Sequence, residues 1–152
     1  MNIAIQYEDF SLAEEVAALR AGNSSVGAVV TFVGVVRDLN LDAGVSALEL
    51  ECYPAMVQKT LSTIVKQAQE RWQVMDATVI HRIGRLEVED QIVFVGVTSK
   101  HRGDAFAACE FIMDYLKTDA PFWKKEHAQD GARWLDARDS DSSARERWER
   151  SE

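Results

Sequence analysis

The stretch QIVFVGVTSKHRGDAFAACEFIMDYLKTDAPFWKKE, residues 91–126, changes local pattern three times. Gln91–Ser99 is a nearly continuous apolar, β-branched run and reads as a buried strand. From about Ala105 to Lys117 the spacing becomes helical, with Phe106, Cys109, Ile112, Met113 and Leu116 on one face and Asp104 as the cap. Asp119-Ala-Pro ends that helix, because proline clashes with the preceding turn and has no N–H to donate. After Pro121 the chain is extended again and starts a short hairpin, FWKKE…GARWLDA. Strands and helices mix in this way along the whole chain without regular βα alternation, which points to an α+β fold.

Working outward, Asn2–Tyr7 alternates like a half-buried strand, and Phe10–Ala21 has helical spacing with Ser11 or Asp9 as cap and Gly22 as stop. GAVVTFVGVVR (27–37) predicts a strand buried on both faces. DLNLDAG (38–44) has the composition of a mobile loop, and Val45–Tyr53 alternates again. Pro54 opens a helix whose Val57, Leu61, Ile64, Val65, Ala68 and Trp72 form one stripe. Ala77–Ile83 is a strand joined through GRLEVED to Gln91–Ser99. FVGV occurs at 32–35 and 94–97, which assigns both segments to central strands, with Gly34 and Gly96 marking bulges or close backbone approach. The expected architecture is a mixed, largely antiparallel sheet with about three helices packed on it and a C-terminal hairpin. Residues 1–138 form one domain, and 139–152 are a polar tail, flexible or ordered by a partner.

The chain has 152 residues, enough for a real core, and 47% of them are hydrophobic, which is ordinary for a soluble protein. A net charge of −8 argues against nucleic-acid binding, which calls for a basic face. Residues 99–125 differ: five Lys/Arg against four Asp/Glu give +1, leaving −9 elsewhere. Cys52 and Cys109 form no CxxC pair, no apolar run is long enough for a membrane span, and MNIAIQYEDF lacks the pattern of a signal peptide. A cytoplasmic protein without membrane association is the expectation.

Within TSKHRGDAF (98–106), a strand leads into a helix N-terminus, where unpaired N–H groups attract anions and Lys100, His101 and Arg102 add positive charge. An exposed, capped turn fits equally. Met113 and Lys117 are four apart and share a helix face. Alternation after Pro121 sends Phe122 and Lys124 one way and Trp123 and Lys125 the other. If Lys117 and Lys124 face each other, repulsion favours one neutral amine, suited to acid–base or nucleophilic work. A lysine favoured by the helix dipole beside a solvated strand explains the same residues blandly. Arg37 fits a phosphate or carboxylate clamp, or a snorkelling strand end. His81 reads as a satisfied structural histidine and both cysteines as inert. Metal-ligand clusters and nucleotide-binding motifs are absent.

TFVGVVRD, ECYPAM, VIHRIGRL, VFVGVTSKHR and MDYLKTDAPFWKKE occur in that order, and together they resemble the catalytic (large) subunit family of molybdopterin synthase, from about residue 3 to 138. The resemblance implies an α/β hammerhead-like fold and a sulfurtransferase acting in molybdenum cofactor biosynthesis. Two sulfurs pass from the C-terminal Gly-Gly thiocarboxylate of a small ubiquitin-like carrier to cyclic pyranopterin monophosphate. It also implies a homodimer of large subunits within a heterotetramer, with no cofactor or metal at this step. By position, Lys117 and Lys124 take the catalytic roles, Lys117 as general acid/base or transient covalent partner. His101 and Arg102 hold the pterin phosphate, and Arg37 and Phe32 line the substrate site. Met113 lines the tail channel, and Arg138 is lent to the neighbouring subunit. Phe32 and Arg37 have opposite parity, so they share a site only through a bulge at Gly34 or serve different parts of it. Gly103-Asp104 and Asp38 depart from the family pattern, and Asp104 would repel a phosphate unless its side chain turned back to cap the helix. Two other classes stand beside this one: a non-catalytic module that docks a ubiquitin-like tail or phosphorylated ligand, and a phosphoester hydrolase.

Overall fold

A computed structural model describes residues 1–38, 47–128, 131–135 and 139–150. In chain order the elements are β1 (Asn2–Gln6), α1 (Leu12–Arg20), β2 (Ala28–Val35), β3 (Ala47–Cys52), α2 (Pro54–Arg71) and β4 (Asp76–Arg82). β5 (Gly84–Glu87), β6 (Gln91–Ser99), α3 (Arg102–Asp119), β7 (Phe122–Ala128), β8 (Gly131–Leu135) and α4 (Asp139–Arg150) follow. One sheet has the order β1-β4-β6-β2 and the other β5-β3-β7-β8. β1 and β4 run parallel, and every other pairing is antiparallel. The fold is therefore α+β, as the sequence pattern predicts. Most of the loop expected at 38–44 lies outside the described residues.

β6 is central. Val93, Val95 and Val97 face one way, with Val79 of β4, and meet Val57, Leu61, Ile64 and Val65 of α2 and Ile112 and Leu116 of α3. The stripe read from Val57 to Ala68 is the buried face of α2, and its Trp72 packs at the edge of the same core. Phe94 faces the other way and is covered by Phe10 and Leu19, with Ile80 alongside. Both candidate glycines sit at close approaches. A Cβ at Gly34 would lie 2.6 Å from Val93 Cγ1, and one at Gly96 would lie 2.5 Å from Leu19 Cδ1.

Four features differ from expectation. β2 is an edge strand with Thr31, Phe32 and Val35 exposed, so its apolar run is not buried on both faces in this chain. β-branched composition identifies a strand but does not fix its place in a sheet. GRLEVED contains the short strand β5, whose partner β3 is more than thirty residues away and leaves no local signal. α3 begins at Arg102, with His101 as its N-cap and no side-chain cap. The Asp104 carboxylate instead accepts the Gln73 backbone N–H at 2.9 Å, an interaction that tethers the α2–β4 connection.

The polar tail also differs: Asp139–Arg150 is helical and docks on α3. Trp148 meets the rings of Trp72 (5.5 Å) and Phe111 (5.7 Å), and its indole N–H donates to the Asp114 carboxylate at 2.6 Å. Arg147 donates to Glu110 and Asp114, and Arg145 pairs with Asp119. The attachment is one aromatic anchor within an ionic frame, which hydropathy does not register. Trp148→Ala is expected to lower stability by roughly 1–3 kcal/mol in urea unfolding, since a half-buried indole is lost. Arg147→Ala should cost less than about 1 kcal/mol, because that side chain is largely exposed.

Candidate functional site

The candidate residues are distributed by the path of α3, which returns along β6. Its last turn carries Lys117, exposed at one end of the sheet, with Met113 one turn earlier and buried. β7 then brings Lys124 to the same end. Lys124 is opposite Leu50 in β3, whereas Lys125 is opposite Glu49 and Trp134, so successive lysines point to opposite faces. Lys125 lies over the Trp134 ring at 5.5 Å, on the outer face. The charges of both Lys117 and Lys124 reach His81 near the end of β4. Strand parity thus separates the paired lysines, and Lys124 is the one that acts on His81 together with Lys117.

His81 is the buried floor of this corner. Its ring stacks on Phe122 at 3.9 Å and 23°. Its Nδ1–H donates to the Arg82 carbonyl at 2.8 Å. Burial pushes the imidazole down from 6.5 to about 4; the Arg82 hydrogen bond opposes this, and Lys124 and Lys117 reinforce it. The ring is therefore neutral near pH 7. Glu126 shares the Lys124 face of β7 and is 2% exposed, a carboxylate that the sequence reading passed over. The alternation of FWKKEHA was its available signal, since it places Phe122, Lys124 and Glu126 together.

At the other end of α3, Lys100, His101 and Arg102 are exposed around an N-terminus with no side-chain cap. Asp104 accepts from Gln73 rather than from the helix's own N–H groups, so the expected capping does not occur and a carboxylate stays in the first turn beside Lys100, His101 and Arg102. Fifteen residues separate Arg102 from Lys117, about 22 Å of helix. Within one chain these two groups of residues do not share a cavity. Arg37 follows the end of β2 that pairs near Gln91, the end of β6 opposite the His101 turn. The register shifts at Gly34/Val35, but Gly34 pairs with Val93 and Val35 with Gln91, so the extra residue is Ile92 of β6. β2 itself gains none; Arg37 lies two residues beyond its end at Val35, so strand parity does not set Arg37 against Phe32. Arg138 lies outside the described residues.

Neither thiol is activated. Burial, with Glu110 nearby, pushes Cys109 up to about 12, and burial also raises Cys52. No cluster of three or more potential metal ligands occurs among the described residues, and no helix there is long and apolar enough to cross a membrane.

Fold and site together define an α+β protein that presents cationic side chains at both ends of one helix. The family model described as "MoaE protein" matches residues 5–119. The molybdopterin synthase catalytic subunit of Ralstonia nicotianae is 60% identical over 97% of this chain and 84% of its own length. The molybdopterin biosynthesis MoaE protein of Burkholderia ambifaria MC40-6 is 55% identical, covers 97% of each chain and superposes with a TM-score of 0.84. Molybdopterin synthase from Staphylococcus aureus is 34% identical over 87% of this chain and 95% of its own, with a TM-score of 0.81. The chain belongs to the MoaE protein family.

His81 supplies a pH test. It is neutral in the fold down to about pH 4 and titrates near 6.5 when unfolded. As pH falls the unfolded chain binds this proton first, so stability present above pH 6.5 is lost progressively towards pH 4. The gap corresponds to on the order of 3 kcal/mol. Urea midpoints at pH 7.5 and 4.5 should show a steeper acid loss in the parent protein than in His81→Asn.

Proposed function

We propose that the chain is the catalytic subunit of a molybdopterin synthase. It transfers two sulfurs from the C-terminal thiocarboxylate of a small carrier subunit to cyclic pyranopterin monophosphate, forming a dithiolene. The observation that carries the reading is that Lys117 in the last turn of α3 and Lys124 at the start of β7 lie at the same end of the sheet, in a chain whose relatives are molybdopterin synthase catalytic subunits. A thiocarboxylate brings its own nucleophile, so the inert thiols of Cys52 and Cys109 are consistent with this chemistry. The protein's task is to orient two anions and move protons as the pterin ring opens. Lys117 acts at the carrier terminus as acid/base or transient covalent partner, Lys124 supports it, and Met113 borders the tail. Arg37 and Phe32 line the substrate site. On this reading no resident metal or cofactor takes part.

His101 and Arg102 bind the pterin phosphate at the uncapped N-terminus of α3. Because about 22 Å of helix separates them from Lys117 in one chain, a second copy of the large subunit completes each site, and Arg138 is likewise lent across. The assembly is a dimer of large subunits with a small carrier on each. Two unpaired cysteines suit the reducing cytoplasm, where we place the protein.

With thiocarboxylated carrier and cyclic pyranopterin monophosphate, Lys117→Ala should lose at least about 10²-fold in turnover. Lys125→Ala, on the outer face, should retain it. Full turnover by a folded Lys117→Ala protein would remove Lys117 from the mechanism. Carrier binding with no turnover by the intact protein would favour the docking-module reading. Arg102→Ala should raise the KM for the pterin by roughly 10- to 100-fold, the loss of one charge-assisted hydrogen bond.

A further inference from the structure

The helix α3 carries four carboxylates, Asp104, Glu110, Asp114 and Asp119, and α4 engages the last three. Arg147 donates to Glu110 at 2.6 Å and to Asp114 Oδ2 at 2.8 Å, and the Trp148 indole N–H donates to the same Oδ2 at 2.6 Å. Arg145 lies over the Tyr115 ring at 5.1 Å, with its Nε 3.2 Å from Asp119. Lys117 sits among these acids in the sequence and is exposed. It makes no hydrogen bond or ion pair among the described residues.

That isolation is not what α3 by itself would produce. Asp114 and Lys117 have the i,i+3 spacing at which a carboxylate and an ammonium on one helix pair. At about 100° per residue, Lys117 is about 60° around the helix from Asp114 and about 160° from Asp119, so Asp114 is the acid within reach. The Asp114 side chain is instead turned to α4 and is only 16% exposed. Its two donors are held independently. Trp148 is seated by the Trp72 and Phe111 rings, and Arg147 also spans to Glu110 one turn earlier. On the opposite side, Met113 and Leu116 are fixed in the core, so Lys117 emerges between the core face of α3 and the face covered by α4.

We propose that Arg147 and Trp148 are positioning residues for Lys117: by holding the Asp114 carboxylate on α4, they keep the lysine ammonium unpaired for the anionic terminus of the carrier. This inference rests on the reading of Lys117 as the residue that receives that terminus. A lysine already neutralised by Asp114 would accept an incoming carboxylate only by displacing its neighbour. Docking of the polar tail thus acts on the site without touching the substrate, and loss of its grip on Asp114 weakens carrier binding by competition.

The double variant Arg147→Ala/Trp148→Phe keeps an aromatic ring at the anchor and removes both donors to Asp114. In the complete enzyme with thiocarboxylated carrier and cyclic pyranopterin monophosphate, it should raise the KM for the carrier about 2- to 5-fold, the strength of one exposed ion pair. The kcat at saturating carrier should stay close to that of the parent. Adding Asp114→Asn should return the KM to the parent value, whereas a purely structural α4 gives no rescue, because an amide cannot restore a lost anchor. An unchanged carrier KM in the folded double variant overturns the proposal, and so does a rise that Asp114→Asn leaves in place. Asp114→Asn alone covers the case in which the double variant does not fold. Its carrier KM should match the parent, and a lower one would mean that Asp114 already competes for Lys117 with α4 docked, which contradicts the proposal. In a Lys117→Ala background the effect of the double variant on KM should vanish. Parent turnover and parent carrier KM in Lys117→Ala alone would instead strike the reading of Lys117 itself, a result separate from any failure of the α4 variants.

Discussion

The packing of α3 along β6 is the constraint on which the rest depends. Ile112 and Leu116 of the helix and Val93, Val95 and Val97 of the strand are buried in one cluster, so neither the rotation nor the axial position of α3 is free. That packing carries Lys117 to the sheet end where β4 terminates just after His81, and it leaves His101 and Arg102 at the opposite end. Pro121 then returns the chain as β7, so Lys124 arrives where α3 ends. Helix length thus sets the separation of the two cationic groups, and the proline turn sets the convergence of the two lysines.

Electrostatics differ at the two helix ends. Lys117 sits in the last turn, where the dipole favours a cation, so its position costs little. Lys100, His101 and Arg102 surround the first turn, where the dipole disfavours cations and the N–H groups lack a side-chain acceptor. Asp104 also lies in that first turn, and its carboxylate, bonded to the Gln73 N–H, offsets part of the positive charge there. Residues 99–125 carry +1 against −9 elsewhere, so both ends of α3 lie in the least acidic stretch of the chain.

Much of the fold was legible because local periodicity and core contacts agree. β6 was read with its observed bounds, the α2 stripe is its buried face, and alternation after Pro121 separated Lys124 from Lys125. What escaped depends on distant partners. The edge position of β2, the strand β5 and the docking of α4 through Trp148 are set by pairing and packing that leave no periodic trace. Asp104 looked like a cap because the helix start was placed three residues late, and its acceptor role at Gln73 is a long-range contact. At the site, the lysines and the basic turn were visible as charged residues at element ends. His81 reads from the sequence as a satisfied structural histidine, and it is buried, stacked on Phe122 and hydrogen-bonded to the Arg82 carbonyl; Glu126 gave no such signal, because its burial is a property of the assembled sheet.

The most direct measurement is the position of the carrier's C-terminal glycine in a structure of the complex between this chain and a Gly-Gly-terminated small subunit. The account predicts that the terminal carboxylate lies at the Lys117 ammonium, bordered by Met113, with Lys125 pointing away from it. A terminus seated at the His101–Arg102 turn, or on the outer face beside Trp134, would contradict it.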